Sequence, residues 1–501
     1  MTAADTDEAP SPLATRREWV GFVVVLGATF MGQVDGFIVS LASPTIQREL
    51  PAGFDEIQLI GAGYVLACAA GLVVGGRLGD RFGRRRVFLA GMAVFTLASL
   101  ACGLAPNAPA LIVFRVVQGT AAAALVPQEL AILHALFRDD AQRARALGLY
   151  GTALGLGVIA GLAGGGLLVD LDLAGLGWRP AFLLNVPIGL AILALGRAVI
   201  PESRATGATR FDLAGAALTV VAFPAILLPF VFGPHRGWLP WALPCAPVAA
   251  VAVALLVRQQ RALAARGGEP LFPPRVLAAP GMPTSLATLV TFFGGNAGLF
   301  LVFTYYVQTG LGTSPLVGGL MLVPLGVGFA IGSPLSGRLA AGRAGPRLPV
   351  LGCLGLAVVL LAQAAIAAGP TSAQRVLLAL AMGAVGLAQG LVVAPLIGGI
   401  LSRVAPDDAG AATGTASTLT QFGLAAGYAA VGSWYSLVLG GTPGAADAPA
   451  DLDSHVQAFA AATVLLTVLA LVTAALCALR DRVRISPGTS EALATTTPEN
   501  G

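Results

Sequence analysis

Three charged side chains lie within long apolar stretches of this sequence: Asp35, Arg115 and Glu129. A charge near the centre of a membrane-spanning helix costs roughly 2.5–3.5 kcal/mol on insertion scales, so each of them needs a partner or a water-filled cavity. Charges in such positions serve ion pathways or proton relays. These residue types therefore predict proton exchange or solute binding, and a static structural ion pair is the alternative.

Asp35 and Arg115 are predicted to lie at similar depth. If the first span enters the bilayer near residue 20, Asp35 lies about 22 Å along it at 1.5 Å per residue. Arg115, on a helix that enters from the opposite side near residue 110, lies about 8 Å in. The sum of about 30 Å equals the thickness of the hydrocarbon core. The two side chains can therefore meet, and substrate arrival or helix movement could then release a proton from Asp35.

Glu129 follows Arg115 on the same helix, about 21 Å further along it. This spacing predicts a position close to the inner boundary of the bilayer. The carboxylate could be a second protonatable or cation-binding group. An interfacial glutamate without such a role is the alternative.

A glycine- and arginine-rich string at 76–86 connects the second apolar stretch to the third. Its glycines permit a tight turn and close helix approach. The Asp80 carboxylate could pair with an arginine or lie at the N-terminus of a neighbouring helix, where negative charge is stabilised. Arginines that merely fix the membrane topology are the alternative. We predict a conformational latch between two helix bundles, formed by Gly76, Gly79, Asp80, Arg81, Gly83, Arg84 and Arg85.

The elements that must position these residues are long apolar helices. Of the 501 residues, 56% are hydrophobic and 11% are charged, against about 25% charged in an ordinary soluble domain. We predict an all-α polytopic membrane protein with about fourteen transmembrane helices. The predicted spans are 20–42, 57–76, 87–105, 109–135, 146–169, 180–199, 213–233, 241–257, 284–306, 315–340, 348–368, 374–402, 412–440 and 458–479.

The distribution of arginine predicts the orientation of the chain. Of the 29 basic residues, Arg115 lies within a span and 24 fall in segments on the side of the termini. The outer segments keep four, namely Arg48, Arg179, Arg236 and Arg375. The positive-inside rule therefore predicts that both termini are cytoplasmic. We expect the protein in the cell (inner, cytoplasmic) membrane.

Glycines recur at spacings of four residues in the fifth span. Small residues at this spacing allow another helix to pack backbone to backbone. We predict helix packing at Gly157, Gly161, Gly165 and Gly166.

Composition and motifs argue against other classes of protein. The sequence contains no HExxH motif, no pair of catalytic carboxylates and no phosphate-binding GxxxxGK[ST] loop. The net charge of +4 does not indicate nucleic-acid binding. We therefore expect no enzymatic activity, no metal and no bound cofactor. A membrane-embedded enzyme or receptor is kept as a remote alternative.

Several strings, taken in order and spacing, resemble the fourteen-span branch of the major facilitator superfamily, the second family of drug:proton antiporters. They lie at 76–86, 115–119, 178–189, 211–216, 305–308, 312–315 and 319–324. The resemblance implies two six-helix bundles, at 20–199 and 284–479, joined by two extra transmembrane helices at 213–257. A cytoplasmic tail at 1–19, a cytoplasmic linker at 258–283 and a disordered cytoplasmic tail at 480–501 complete the division.

The implied mechanism is alternating access, in which one bundle rocks against the other around a central site. Inward proton flow would drive the export of drugs or small amphipathic metabolites, so the proton gradient replaces a cofactor. The expected partners are a small-molecule substrate, protons and the lipid bilayer, and we expect a monomer that binds no nucleic acid.

Two positions depart from the family pattern. The fifth-span signature has Gly-Pro before a later Gly-Gly, and here Leu162 follows Gly161. In the first span, Phe37 and Ser40 replace the usual Thr and Asn. Because the missing proline weakens the signature linked to export, a dedicated exporter or an importer of one endogenous solute is the alternative function.

Overall fold

The computed structural model describes residues 15–482 apart from 138, 205–211, 341–344, 370, 406–407 and 442–450. All regular structure in these ranges is helical. The helices are α1 (Arg16–Glu49), α2 (Phe54–Phe82), α3 (Arg84–Gly103), α4 (Ala108–Leu136), α5 (Asp140–Asp170), α6 (Pro180–Leu183), α7 (Asn185–Val199), α8 (Leu213–Arg236), α9 (Trp238–Ala265), α10 (Pro274–Leu277), α11 (Met282–Tyr305), α12 (Pro315–Ala340), α13 (Leu348–Ala367), α14 (Thr371–Leu401), α15 (Ala409–Leu439) and α16 (Leu452–Arg482).

Fourteen of the described segments are long and apolar enough to cross a membrane, which confirms the predicted all-α fold and span number. Helices α6 and α7 together make one span, and α11 continues through a π-helical turn at Tyr306–Gly310 to complete another. Helix α10 is a short turn between spans. The predicted tail at 480–501 falls almost wholly outside the described residues, as does most of the tail at 1–19.

Most helices extend further than the predicted spans. Helix α1 runs over 34 residues and begins with a capping box, in which the Thr15 side chain accepts from the Glu18 backbone and the Glu18 carboxylate accepts from the Thr15 backbone. Such a cap satisfies amide groups that the first turn leaves open. Hydropathy windows miss these polar ends because helix geometry and capping, rather than apolarity, extend the helix beyond the lipid.

Helices α1–α7 form one half of the molecule and α11–α16 the other. Two seams join the halves: α5 packs on α12, and α2 packs on α15. Helix α8 contacts both α2 and α15, and α9 packs on α8. We call the side on which α1 begins and α16 ends the termini side, and the opposite side the far side.

The halves are closed against each other on the far side. The Tyr305 hydroxyl donates to Gln47 Oε1 at 2.7 Å, and the Tyr305 ring packs edge-on against Phe54 with centroids 5.1 Å apart. Gln308 Nε2 donates to the Leu41 carbonyl at 2.9 Å. These contacts join α11 and its π turn to α1 and α2, so they block passage between the halves at that end.

The halves separate on the termini side. A cavity of about 1010 Å³ lies there between the end of α2, the start of α15 and the segment that follows α9. Gly76, Arg77 and Asp80 line one wall, and Gly410 and Thr413 line the opposite wall. The structure therefore has a closed far side and an open termini side.

Candidate functional site

The Asp35 carboxylate is the centre of a fully buried hydrogen-bond network. Arg115 Nη1 donates to Oδ2 at 2.8 Å, and Gln118 Nε2 and Asn185 Nδ2 each donate to Oδ1 at 2.9 Å. Gln118 and Asn185 also reach Ser99 Oγ, at 2.7 and 3.4 Å. Three donors from α4 and α7 thus surround one acidic side chain on α1, with Ser99 of α3 next to two of them. The contact between Asp35 and Arg115 that the depth estimate allowed is present.

Arg115 has further partners. Its Nε donates to the Ile60 carbonyl at 3.2 Å, and its Nη1 to Gln118 Oε1 at 2.6 Å. The guanidinium lies 4.1 Å from the Tyr64 ring centroid and 5.7 Å from that of Phe182. Cation–π contacts of this kind are worth up to about 2 kcal/mol when desolvated. The arginine is therefore held in place from three directions.

The sequence indicated part of this network. Asn185 and Asn296 are polar side chains within apolar stretches, and both make interhelical hydrogen bonds, Asn296 accepting from Gln389 Nε2 at 2.7 Å. The sequence placed Gln118 in the string at 115–119 but did not predict its contact with Asp35. For Ser99 the sequence predicted no role. A serine in an apolar helix commonly bonds its own backbone, so tertiary packing alone identifies Ser99 as a partner.

Glu129 is buried between neighbouring helices. It is 4% exposed, and its Oε2 accepts hydrogen bonds from Thr29 Oγ1 at 2.8 Å and from Tyr150 Oη at 3.1 Å. These donors come from α1 and α5. The described residues give Glu129 no arginine partner within ion-pair distance. The predicted role of Glu129 in proton exchange or cation binding stays a prediction.

A central cavity of about 370 Å³ lies between the two halves, a size in the range of small-molecule sites. Arg115, Glu129 and Tyr150 border it from the first half, and Asn296 and Tyr428 from the second. Asp35 does not border it. Further lining residues supply aromatic rings and carboxamides: Phe37, Phe95, Phe293, Phe300, Gln33 and Gln421. The cavity can hold an aromatic molecule with a few polar groups.

The two departures in the first span lie at this cavity. The Phe37 ring packs against Phe300 with centroids 5.2 Å apart, and Ser40 Oγ hydrogen-bonds the Tyr428 hydroxyl. Gly61 leaves room for that tyrosine, because a Cβ there would lie 3.0 Å from its ring. Sequence reasoning assigned no position to Tyr428. A tyrosine in a membrane helix gives no signal of which face it occupies.

The arginine-rich loop makes its ion pairs within the first half and with the segment after α9. Arg84 pairs with Asp80 at 3.0 Å, and Arg85 with Glu202 at 3.6 Å. Arg77 donates to the Glu269 carbonyl at 2.8 Å. Gly83 has a φ of +105°, which allows α2 to end and α3 to begin at one residue. The predicted latch between halves stays a prediction, because Asp80 faces the open cavity across from α15 in this conformation.

The remaining glycines of the loop allow close packing against α4. A Cβ at Gly79 would lie 1.9 Å from Gln128 Oε1, and one at Gly76 would touch Pro127 at 3.5 Å. Gln128 Nε2 donates to the Gly75 carbonyl at 2.8 Å. Arg81 lies 5.4 Å over the Phe82 ring. The loop is thus anchored on one side to the helix that carries Arg115 and Glu129.

The predicted packing glycines of α5 lie against neighbouring helices. A Cβ at Gly157, Gly161 or Gly165 would come within 2.5–3.1 Å of α1 atoms. A Cβ at Gly166 would lie 2.4 Å from the Pro315 carbonyl oxygen of α12. Leu162, at the position of the missing proline, is fully buried. Its carbonyl oxygen lies 2.3 Å from where a Cβ at Gly319 would be. Helix α5 therefore packs on α1 with three glycines and on the other half with Leu162 and Gly166.

Comparisons with known proteins agree with this architecture. A sequence profile described as Major Facilitator Superfamily matches residues 25–428. A probable actinorhodin transporter of Streptomyces coelicolor is 35% identical over 444 residues, which cover 87% of this chain and 75% of that protein. A puromycin resistance protein of Streptomyces alboniger is 36% identical over 434 residues, covering 84% of this chain and 82% of that protein.

Among solved structures, a bacterial homologue of the human lysosomal transporter Spinster, in an inward-facing and unoccupied conformation, superposes with a TM-score of 0.68. The superposition covers 95% of this chain and all of that chain at 16% identity, which is a likeness of fold alone. The sequence match over most of the chain goes further: this protein belongs to the Major Facilitator Superfamily.

Proposed function

We propose that this protein exports drugs or small amphipathic metabolites by alternating access, in exchange for protons. One observation carries the proposal. A cavity of drug size lies between the halves, which separate on the termini side, and Glu129, a carboxylate with hydrogen-bond donors but no arginine partner among the described residues, borders it. The two relatives described above are a probable transporter of actinorhodin and a resistance protein for puromycin. Both names support a small organic molecule as the cargo.

The orientation follows from the arginine distribution. With the termini in the cytoplasm of a bacterial cell, the open side faces inward and this conformation loads substrate from the cell. Arg16, Arg77 and Arg84 then lie at the cytoplasmic surface, as the positive-inside rule expects. The cell membrane is the proposed location.

The two buried carboxylates are the proposed proton carriers. Glu129 borders the cavity and can exchange a proton with water that enters from the termini side. Asp35 is enclosed by its three donors, so it can exchange a proton only when helix movement opens the network. Each positive charge that moves inward releases about 2.3 kcal/mol per 100 mV of membrane potential. We propose that this gradient, and no bound cofactor, supplies the energy.

Reorientation would break the far-side contacts of Tyr305 and Gln308 and close the cavity on the termini side. Asp80 would then approach the start of α15, whose N-terminal amides favour a carboxylate. This is the proposed latch. The proposed cycle includes no covalent step, so we propose a transporter without enzymatic activity. We also propose that it functions as a monomer.

An importer, or an exporter dedicated to one endogenous solute, is the second candidate. It is favoured by Leu162, which replaces the proline of the fifth-span signature at the contact with α12.

Inverted membrane vesicles with an imposed pH gradient separate the candidates. Protons placed inside the vesicles should drive uptake of puromycin or a fluorescent drug, and an uncoupler should abolish it. Asp451→Asn is a matched control, because this carboxylate lies at the far end of the molecule and caps Ser454 at 3.0 Å. Asp35→Asn should lose the uptake and Asp451→Asn should keep it. Drug movement out of the vesicles under the same gradient would contradict export.

A further inference from the structure

Tyr428 of α15 contacts two helices of the first half at the wall of the central cavity. A Cβ on Gly61 of α2 would lie 3.0–3.4 Å from three atoms of the Tyr428 ring, and the Tyr428 hydroxyl hydrogen-bonds Ser40 Oγ of α1. All three residues border the cavity. Because the ring rests on a glycine, it lies at the wall and leaves the volume of the cavity free.

The turn of α2 that carries Gly61 also holds Arg115. The carbonyl of Ile60, the preceding residue, accepts from Arg115 Nε at 3.2 Å, and the guanidinium lies 4.1 Å from the centroid of the Tyr64 ring. The backbone of this turn packs directly on α4, because a Cβ at Gly119 would lie 2.1 Å from the Tyr64 carbonyl oxygen. A displacement of the turn therefore moves the groups that position Arg115.

Ser40 connects the Tyr428 hydroxyl to the helix that carries Asp35. The two residues of α1 are five positions apart, about 7.5 Å along the helix. Asp35 accepts from Arg115 at 2.8 Å. Tyr428 thus contacts the helix of the acid on one side and the turn that fixes the partner of the acid on the other. A shift of this one side chain reaches both members of the buried ion pair.

Gln421, another cavity residue on α15, makes a different contact with α2. Its Nε2 donates to Cys68 Sγ at 3.4 Å. Cys68 lies eight residues beyond Ile60, about 12 Å along the helix. The contact of Tyr428 is therefore distinguished by its position, next to the carbonyl that binds Arg115.

We propose that Tyr428 couples the occupancy of the cavity to the protonation of Asp35. Cargo in the cavity holds the Tyr428 ring against Gly61, which keeps the turn of α2 in place and favours the ionised carboxylate. When Asp35 takes up a proton, Arg115 loses its counter-ion and moves. The turn of α2 then relaxes, and the Tyr428 ring enters the cavity and displaces the cargo. Tyr428 is a positioning residue in this exchange, and the inference rests on the proposed proton-coupled export.

Such coupling is reciprocal: cargo that favours the ionised carboxylate binds more weakly when the carboxylate is protonated. The affinity should therefore fall with the pH, by up to about tenfold per pH unit for one linked proton. The other titratable groups that face the ion pair are the phenols of Tyr64 and Tyr428 and the thiol of Cys102. These groups are protonated below pH 7. Glu129 borders the same cavity, so the test is made with Glu129→Gln as the background.

Equilibrium binding of radiolabelled chloramphenicol in detergent, from pH 7 to pH 5, tests the coupling. This drug is uncharged over that range. In the Glu129→Gln protein, the dissociation constant should rise at least about tenfold as the pH falls, because Asp35 still takes up a proton. Adding Tyr428→Ala should reduce this rise to less than about twofold. A pH dye should show the matching loss, with fewer protons released for each drug molecule bound.

Matched variants separate coupling from packing. Gly61→Val places a side chain where the Tyr428 ring rests and should flatten the pH dependence in the same way, so it replaces Tyr428→Ala if that variant does not fold. Tyr428→Phe keeps the ring and should retain most of the pH dependence. Gln421→Ala is the control on the same helix: whatever it does to the affinity, it should leave the rise of the dissociation constant with falling pH unchanged.

Three other outcomes would overturn the inference. If Tyr428→Ala shifts the dissociation constant equally at every pH, Tyr428 is a wall residue without a role in coupling. A Glu129→Gln protein without pH dependence, beside a wild type that has it, would assign the coupling to Glu129 and leave proton exchange intact. If the wild type does not bind the drug, or binds it equally at every pH, the proposed proton-coupled export is itself contradicted for such cargo, and this inference fails with it.

Discussion

Asp35 and Arg115 form an ion pair, with 2.8 Å between Oδ2 and Nη1, in which only the arginine borders the central cavity. Both side chains are at least 98% buried. A buried pair of this kind is weak evidence for stability, since desolvation offsets much of the attraction, but breaking it by removing one partner is costly. The pair therefore makes separate predictions for folding and for coupling.

Asp35→Asn should lose proton-coupled transport and should also destabilise the protein. The amide cannot neutralise Arg115, and an uncompensated buried charge costs about 3–5 kcal/mol. Thermal unfolding in detergent and drug uptake by inverted vesicles measure the two effects. The double variant Asp35→Asn/Arg115→Gln should recover most of the stability without recovering transport. Full recovery of proton-driven transport in the double variant would show that the pair is structural only.

Glu129→Gln should fold normally, because glutamine can still accept from Thr29 and Tyr150. We expect proton-driven efflux to fall sharply, since the amide cannot carry a proton, while binding of an uncharged drug stays within about twofold of wild type. Proton release on drug addition, followed with a pH dye in detergent, gives the direct measurement. Unchanged proton release in this variant would exclude Glu129 as a carrier.

How much of the site could be predicted depends on whether a residue is charged or neutral. A charge in an apolar stretch must be paired or solvated, so Asp35, Arg115 and Glu129 were found from sequence, and helix rise gave the depth at which two of them meet. The lateral burial of Glu129 between α1 and α5 could not be predicted. A residue count along a helix gives position along its axis and does not give the face that the side chain occupies.

Neutral cavity residues could not be predicted in this way. Tyr428, Phe300 and Gln421 lie on helices whose apolar residues surround the whole circumference, so periodicity does not distinguish the face toward the cavity from the face toward lipid. Helix α8, which covers the α2–α15 seam, was equally hidden. Its existence followed from counting spans, but its position over the α2–α15 seam depends on tertiary contacts such as Phe223 on Phe422.

Gly166→Ala and Gly319→Ala should shift the protein away from the conformation described here. A Cβ at either position would lie 2.4 or 2.3 Å from a carbonyl oxygen of the opposite half. A backbone carbonyl cannot change rotamer to relieve the clash, as a side chain can. The two halves should therefore move apart on the far side. Distances between spin labels on the two halves would report the change. Gly164→Ala is the matched control on α5, because its Cβ would meet nothing within 4 Å.

Asp80→Asn should slow transport without destabilising this conformation. Here Asp80 pairs with Arg84 at 3.0 Å, and both side chains are a quarter or more exposed, so the pair contributes about 0–1 kcal/mol at most. The proposed latch forms only after the cavity closes. Spin-label distances should therefore show that the state open on the termini side is more populated in the variant. A lower unfolding temperature with unchanged populations would argue for a purely structural role.

The last prediction concerns Asp212, which attaches the start of α8 to α9 and to the segment after α9. Its carboxylate accepts from the Gly215 and Leu271 amides at 2.8 and 3.0 Å, and from Gln259 and Gln260 at 2.7 and 2.5 Å. Burial alone would raise the pKa of Asp212, but these hydrogen bonds hold it below its ordinary value of 3.8. A group whose pKa is lower in the folded state stabilises that state above its unfolded pKa, and the stabilisation is lost as the pH falls through the folded value.

Asp212→Ala should therefore lower the free energy of unfolding at pH 7 by about 3 kcal/mol, the upper end of the range for one hydrogen bond to a charged group. The difference in free energy of unfolding between wild type and variant should persist down to about pH 4. It should narrow only below that pH, where the wild-type carboxylate takes up a proton. Thermal unfolding in detergent from pH 7 to pH 3 measures this dependence. Asp451→Ala, at an exposed cap, should show a smaller loss. A constant gap across the whole range would mean that packing, and not the charge of Asp212, secures the cover over the α2–α15 seam.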